Sequence, residues 1–456
     1  MTNYFKCHIT EVSGLRFVAD RMALQSSAGR NHLMHMSFMT DAAALQTELD
    51  HTEAMLRFRR EEPATVQTIL LQLEQLHDIK QSLKNLHDKI VLDDVEFFEI
   101  KKFTIISQQI EKCLLPFGFV WLAWQDITAV LSLLNPSGQQ TPNFYIYPDY
   151  DERLPLIHKQ LAAEKNEQAR QELLLDLAQA EDDVRQKLSD YLQQYIEPLQ
   201  NNLNLLACID VLLAKAQLAE DLHLIKPQIT TDRIRFTALF NPAVAARLQQ
   251  NGHQFQPIDI SIADIPCLIT GANMSGKSVL LKTIGLAQTL FQFGFFVPAA
   301  AAELTPVAAV MFSMGDAQSD MNGLSSFAVE ILNIQHIIQK VKSGQRILAL
   351  VDELARTTNP DEGKALVNAF VQLMSKYDAY TLITTHYSGI HAICRRLQVK
   401  GLQFAAMPEK ITPENLQRYM DYTLEECSDR DVPHEALHIA EIFGVDEEFL
   451  ALACMS

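Results

Sequence analysis

The octapeptide Gly271-Ala272-Asn273-Met274-Ser275-Gly276-Lys277-Ser278 constrains this chain more than any other stretch. An apolar run, Ile265 to Ile269, precedes it, and a helix-like run, Val279 to Leu290, follows it. The order is strand, glycine loop, helix, and the spacing G-x-x-x-x-G-K-S is that of a phosphate-binding loop. Gly271 and Gly276 open backbone angles closed to other residues and keep side chains out of the space between backbone and ligand. Successive N–H groups of the loop then point at one anion, and the helix N-terminus adds partial positive charge. In such a loop Lys277 reaches the β- and γ-phosphates of ATP, and the Ser278 hydroxyl takes a place on Mg²⁺. A chance glycine turn before a core helix is the alternative, and the flanking strand and helix argue against it.

A second segment completes the expectation. Arg346 to Glu353 is an apolar strand that ends in two acids, Asp352 and Glu353. Beside a phosphate loop, the first acid holds Mg²⁺ through its shell. The second can polarise the attacking water. Thr384-Thr385-His386-Tyr387 follows another apolar run. His386 then falls at the C-terminal end of a parallel strand, where ligands bind in α/β sheets. It can sense the γ-phosphate or hydrogen-bond the water.

The rest of the chain sets limits. Its 456 residues allow roughly two to four domains. A net charge of −18 argues against a mainly electrostatic DNA or membrane binder, because neutralising phosphates needs Lys and Arg. Seven scattered cysteines with no C-x-x-C pair suggest neither zinc nor disulfides and fit a cytoplasmic protein. Met1 to Lys6 shows no apolar signal core. Phe117 to Leu134 is cut by Gln125, Asp126, Thr128 and Ser132, which predicts a buried helix rather than a membrane span.

Helical spacing dominates residues 1–225. Leu45, Leu49, Thr52 and Leu56 lie on one predicted helix face, and Pro63 ends or restarts that helix. Leu73, Leu76, Ile79, Leu83, Leu86 and Ile90 form a stripe of nearly heptad period, read as a bundle face. His32 and His35 share a helical face, but no carboxylate partner is in sight, so they read as packing residues. From Leu154 to about Glu220 the chain reads as helix again, with a highly charged middle, Lys159 to Gln194, that suits a long exposed helix or an antiparallel helix pair. Near Pro227 the pattern changes to alternating strands and helices, which predicts a mostly parallel sheet covered on both faces. Strands are expected at 265–270, 307–313, 346–351, 380–384 and 398–405. Helices are expected at 276–294, 326–342, 363–377 and 387–396.

Together these segments resemble a known family. The loop Gly271–Ser278, Val297-Pro298-Ala299, the run Asp352 to Gly363 and Thr385-His386-Tyr387 look like the ATPase domain of MutS proteins, which belongs to the ABC class. The resemblance covers roughly residues 230–456. It implies a multidomain fold: an all-α helical core and lever over 1–225, followed by an α/β P-loop ATPase domain over 226–456. Residues 433–456 are similar to the family's C-terminal helix-turn-helix, which joins two such domains. Gly323 to Glu330 looks like the segment that completes a partner subunit's site, so Ser325 and Ser326 would touch the γ-phosphate bound to the other chain. An ordinary helix cap by either serine is the other reading. Phe255-Gln256-Pro257 resembles the segment that packs on adenine, and Tyr422 falls where the family often has a ring near the base.

The departures bear on function. Nothing resembles the family's mismatch-reading or connector domains, and residues 160–200 read as continuous helix where the family inserts a DNA clamp. Thr357-Thr358-Asn359-Pro360 stands in place of a glycine- and serine-rich loop. Two readings therefore stand. In one, a homodimeric Mg²⁺-dependent ATPase of the mismatch-repair type holds duplex DNA without reading mismatches. In the other, the same engine is a remodeller or adaptor whose helical arms hold a protein partner. Neither involves a membrane.

Overall fold

The change of periodicity near Pro227 marks a real change of structure. Among the described residues, the elements up to Asp221 are helices, and every strand lies after it. The computed structural model describes residues 3–136, 144–272, 275–314, 326–356, 358–403, 417–427, 440 and 444–454. The chain divides into two compact units. One comprises Met1–Met22, Met36–Glu53 and Gln217–Ser456, and the other Ala23–His35 and Ala54–Ala216.

The second unit is helical. Its main helices are Pro63–Glu74, Lys80–His87, Asp94–Leu114, Arg153–Ala163, Glu167–Leu192 and most of Ile196–Asp221. Asp93 starts the longest early helix with a capping box, in which its side chain accepts from Glu96 N–H and Glu96 accepts from Asp93 N–H. Pro63 does restart a helix.

Four expectations need correction. The stripe from Leu73 to Ile90 is not one helix. Asp78 accepts from Lys80 N–H at 3.0 Å, a local bond that competes with the helix and breaks it between Glu74 and Lys80. Leu73, Leu76, Ile79, Leu83 and Leu86 are buried, whereas Ile90 is 52% exposed. Phe117 to Leu134 is helical only over Thr128–Leu134. Pro116 and a left-handed Gly118 (φ 65°) end the preceding helix, and Val120 is 96% exposed. The expected continuous helix over 160–200 is interrupted at 164–166. There Glu164 accepts from the N–H groups of Lys165 and Asn166, and Asn166 caps the next helix. The fourth concerns residues 387–396 and is given below. From Glu167 to Asp221 the chain is long and apolar enough in one window to cross a membrane, yet 78% of that window is buried inside the protein.

The other unit holds all ten strands found among the described residues. In chain order they are β1 (Gln228–Ile229), β2 (Ile234–Leu239), β3 (Ile258–Ile262), β4 (Cys267–Thr270), β5 (Ala301–Leu304), β6 (Ala309–Ser313), β7 (Ile347–Asp352), β8 (Tyr380–Thr384), β9 (Arg395–Leu402) and β10 (Met420–Glu426). A six-stranded sheet runs β10-β9-β4-β8-β7-β6. It is parallel except for β10 at its edge. A four-stranded sheet runs β1-β5-β2-β3. β7 is buried from Ile347 to Val351 and β8 along its whole length, and Ile347, Ala349, Val351, Val367, Phe370 and Ile383 share one core.

Helices Lys277–Gln292, Ser326–Lys342 and Pro360–Met374 form where expected, the middle one with the expected bounds. The helix expected at 387–396 does not form. Gly389 turns left-handed at φ 75°, and the Asn368 side chain accepts from His391 and Ala392 N–H at 2.8 and 3.1 Å. Those bonds replace helical ones, and β9 begins at Arg395, before the expected 398.

The N-terminal segments of this unit pack at the far end of helix Lys277–Gln292. Phe5 meets Phe293 and Phe295 with ring centroids at 5.0 and 5.8 Å, and Phe38 meets Phe293 at 5.6 Å. Gln292 donates to the carbonyls of Met39 and Val307 at 2.9 and 2.6 Å. Residues 3–22 and 36–53 therefore share a core with the sheets.

Candidate functional site

The glycine loop connects β4 to helix Lys277–Gln292 at the C-terminal edge of the parallel strands. β4 lies between β9 and β8. Gly271 adopts φ 150° and Gly276 φ 78°, both angles that side chains disfavour. A Cβ on Gly271 would come within 2.9 Å of Ser275 Oγ, so the turn closes only without one. Asn273 and Met274 lie outside the described residues. Ser275 is buried, and its hydroxyl has no hydrogen-bond partner among the described residues. The Lys277 ammonium curls back to donate to the carbonyls of Gly271 and Ala272 at 2.8 and 2.9 Å. Ser278 is the second residue of the helix and is half-buried.

The two acids stand at the end of β7, two strands away. Strand register pairs Asp352 with Thr384 of β8. The Thr384 hydroxyl donates to Asp352 Oδ1 at 2.6 Å and accepts from the Glu353 N–H at 3.0 Å. One hydroxyl thus orients both acids. Glu353 Oε1 lies 3.8 Å from Lys277 Nζ, and Glu353 Oε2 lies 3.7 Å from Arg356 Nη1. Lys277 and Glu353 side chains are only 5% and 17% exposed, so water screens this pair little.

The backbone after the acids is strained. Glu353 and Ala355 adopt φ 52° and 64°. A left-handed non-glycine residue costs on the order of 1–2 kcal/mol. The strain is held by hydrogen bonds. Ala355 N–H donates to Glu330 Oε1 at 2.7 Å, and the Tyr387 hydroxyl donates to the Ala355 carbonyl at 2.7 Å. Burial pushes the Glu330 carboxyl above its usual range. Burial, then the nearby Glu330 and Glu353, push the Tyr387 phenol up as well, so it remains a donor. His386 is exposed just past β8, its ring centroid 4.2 Å from that of Tyr387.

On the other side of the loop lies a cleft of about 580 Å³. Phe255, just before β3, and Tyr422, on β10, both line it together with Gly276, Arg247, His253 and Arg418. Gln256 locks the wall: it donates to Asp421 Oδ1 at 2.8 Å and accepts from Tyr422 N–H at 3.1 Å.

The structure therefore brings together Gly271, Ala272, Ser275, Gly276, Lys277, Asp352 and Glu353 on one side of the loop and Phe255 and Tyr422 on the other. His386 lies near by, beside Tyr387. Ser325 lies outside the described residues, and Ser326 is described only as the first residue of its helix. Most of 433–456 also lies outside, apart from 440 and 444–454, where helix Glu447–Cys454 forms. Thr384, Glu330 and Gln256 lie inside segments singled out from the sequence, but sequence reasoning gave none of the three a role of its own. A threonine at the end of the strand beside the acids was a usable signal for Thr384. Glu330 and Gln256 act through bonds to the backbone or side chains of distant segments, which spacing does not show.

Residues 267–454 match the family model for MutS domain V. The chain is 29% identical over 304 residues to a DNA mismatch repair protein MutS of Halalkalibacterium halodurans, covering 66% of this chain and 33% of the relative. It is 34% identical over 205 residues to an endonuclease MutS2 of Agathobacter rectalis, covering 44% and 25%. It is 32% identical over 244 residues to a DNA mismatch repair protein MutS of an Exiguobacterium species, covering 53% and 27%. The chain thus spans a quarter to a third of the length of these relatives. On the domain match, residues 267–454 belong to the MutS domain V family, and the chain is similar over up to 66% of its length to MutS and MutS2 proteins.

Proposed function

We propose that this chain binds ATP with Mg²⁺ and hydrolyses it to ADP and phosphate. The observation that carries this reading is the approach of the Lys277 ammonium to the Glu353 carboxylate at 3.8 Å, at the mouth of the glycine turn. The residues fit a nucleotide. The buried Ser275 hydroxyl has no partner among the described residues, Lys277 is a nearby cation, and a helix begins at the loop, a donor set suited to phosphate oxygens. The cleft lined by Phe255 and Tyr422 suits a flat base. Ser278 and Asp352 are hard oxygen donors and would hold Mg²⁺. When bound, Mg²⁺ neutralises charge on the transferred phosphoryl group. Lys277 binds the phosphates, Glu353 accepts a proton from the attacking water, and His386 orients that water or senses the γ-phosphate. The Thr384 hydroxyl keeps Asp352 and Glu353 aimed.

A homodimer follows from the family reading of Ser325 and Ser326 as donors to the partner's γ-phosphate. Helix Glu447–Cys454 supports it by exposing Phe449, an apolar surface suited to a second copy.

A second reading concerns what the arm made of helices Arg153–Ala163 and Glu167–Leu192 holds. Acids outnumber bases along it. Arg153 pairs with Asp151 and Asp183, Arg185 with Asp94, and Lys187 with Asp151. Leu174 and Leu175 are exposed, the latter 72%. A net acidic arm whose Arg153, Arg185 and Lys187 already have carboxylate partners, with exposed leucines, favours a protein partner over duplex DNA.

Calorimetric titration with a slowly hydrolysed ATP analogue in Mg²⁺ tests the nucleotide reading. Wild type should bind with one site per chain, and Lys277→Ala should bind much more weakly. Equal binding by both would remove Lys277 from the site and overturn the reading.

A further inference from the structure

Ala355 is the point where three elements meet. It follows the acids at the end of β7, and its left-handed backbone (φ 64°) is one that alanine does not adopt by preference. Both polar groups of the peptide are engaged. Its N–H donates to Glu330 Oε1 on helix Ser326–Lys342, and its carbonyl accepts from the Tyr387 hydroxyl just past β8, each at 2.7 Å. A third observation shows that the Tyr387 hydroxyl has a built slot. Gly363, in the first turns of helix Pro360–Met374, lies so close that a Cβ there would come within 2.3 Å of the Tyr387 oxygen. Ala355 and Tyr387 are both buried, so water does not replace these bonds at no cost.

Glu353 sits two residues earlier in the same strained turn. Its own φ is 52°, and the turn closes with Arg356 N–H donating to the Glu353 carbonyl at 3.2 Å. If Ala355 relaxed to an ordinary backbone angle, this turn would open. The Glu353 carboxylate would then leave its position between Lys277 and Arg356.

We propose that Glu330 and Tyr387 are positioning residues that clamp the Ala355 peptide left-handed and thereby hold Glu353 in place for hydrolysis. The inference rests on the reading of Glu353 as the residue that activates water. It goes further, because it makes the placement of Glu353 depend on helix Ser326–Lys342. A shift of that helix would carry Glu330 off the Ala355 N–H and switch hydrolysis off while the nucleotide stays bound.

Two readouts test this in the full chain. The first is amide exchange at Ala355, which reports the clamp whether or not the chain hydrolyses ATP. The second is ATP hydrolysis, resolved into kcat and KM. Tyr387→Phe and Glu330→Ala should each speed exchange at Ala355 and lower kcat by about tenfold to a hundredfold, the scale of a misplaced catalytic group. Affinity for the ATP analogue should stay within about twofold, because no nucleotide-binding group is removed. Glu330→Gln keeps an acceptor oxygen and should retain both exchange protection and kcat. Ala355→Gly, placed in the Tyr387→Phe chain, should recover much of the lost kcat, since glycine takes this angle unaided. That rescue cannot come from a chain that merely fails to fold. Unchanged kcat in Tyr387→Phe and Glu330→Ala, or no rescue by Ala355→Gly, overturns the positioning role. A wild-type chain that hydrolyses nothing while Ala355 stays protected overturns the ATPase reading instead, and the role with it.

Discussion

Gly276 of the glycine loop lies against the Tyr422 ring of β10, so closely that a Cβ on the glycine would meet Cδ1 at 3.1 Å and Cε1 at 3.2 Å. The loop and the wall of the base-side cleft are thus one packed object. Gly276→Ala would force a side chain onto φ 78° and press on Tyr422. It should cost about 1–2 kcal/mol of stability from the backbone alone. It should also lessen the rise in thermal midpoint that ATP gives wild type. A variant with unchanged midpoints, with and without ATP, would show that the loop tolerates the methyl group.

Tyr422 and Phe255 predict a split between base and phosphate. Tyr422→Ala should weaken ATP binding by about three- to tenfold, the size of one lost aromatic contact. Binding of inorganic tripolyphosphate should be unchanged, because the phosphate groups face Lys277 and not the cleft. A parallel loss for both ligands would place the ring's effect on the loop instead of the base.

Much of this site was legible in the sequence, for a physical reason. Phosphate cradling demands glycines and a lysine at fixed spacing, so Gly271, Gly276 and Lys277 announce themselves. A strand buried on both faces must be apolar, so β7 and β8 stand out, and so do the polar residues at their ends. Parts of the fold that rest on side-chain bonds to distant backbone were not legible. Asn368 rewrites residues 391–392, and Asp78 breaks the Leu73–Ile90 stripe, with nothing in periodicity to show it. Glu330 and Tyr387 act on Ala355 through bonds that only the folded chain creates. The edge strand β1 and its neighbour β5 are too short for alternation to register.

Glu330 predicts a pH dependence of stability. Burial raises its folded pKa above the ordinary carboxyl value. The folded chain then binds that proton more tightly than the unfolded chain. The side chain contributes stability below the ordinary range that is lost as pH rises through its raised pKa. Glu330→Gln stays neutral and avoids that loss. Its thermal midpoint should equal or exceed that of wild type near about pH 8, and the difference should vanish toward about pH 4. A lower midpoint than wild type at the higher pH contradicts this.

The paired charges on the arm predict weak DNA binding. Titration of matched and mismatched duplexes should show little affinity at physiological salt and no preference between them. The dependence of affinity on salt should be shallow, because Arg153, Arg185 and Lys187 already have carboxylate partners. Tight binding with a steep salt slope would restore the DNA reading, and a mismatch preference would contradict the expectation from sequence.

The central claim is that Lys277 and Glu353 form one hydrolytic site, and the most direct measurement is ATP turnover with Mg²⁺ alongside nucleotide binding in the same preparations. Wild type should release phosphate. Glu353→Gln should bind ATP as wild type does but lower kcat by about a hundredfold or more, as expected when a general base is removed. Lys277→Ala should lose binding. Wild-type turnover in the Glu353→Gln chain, with its binding intact, would contradict the account.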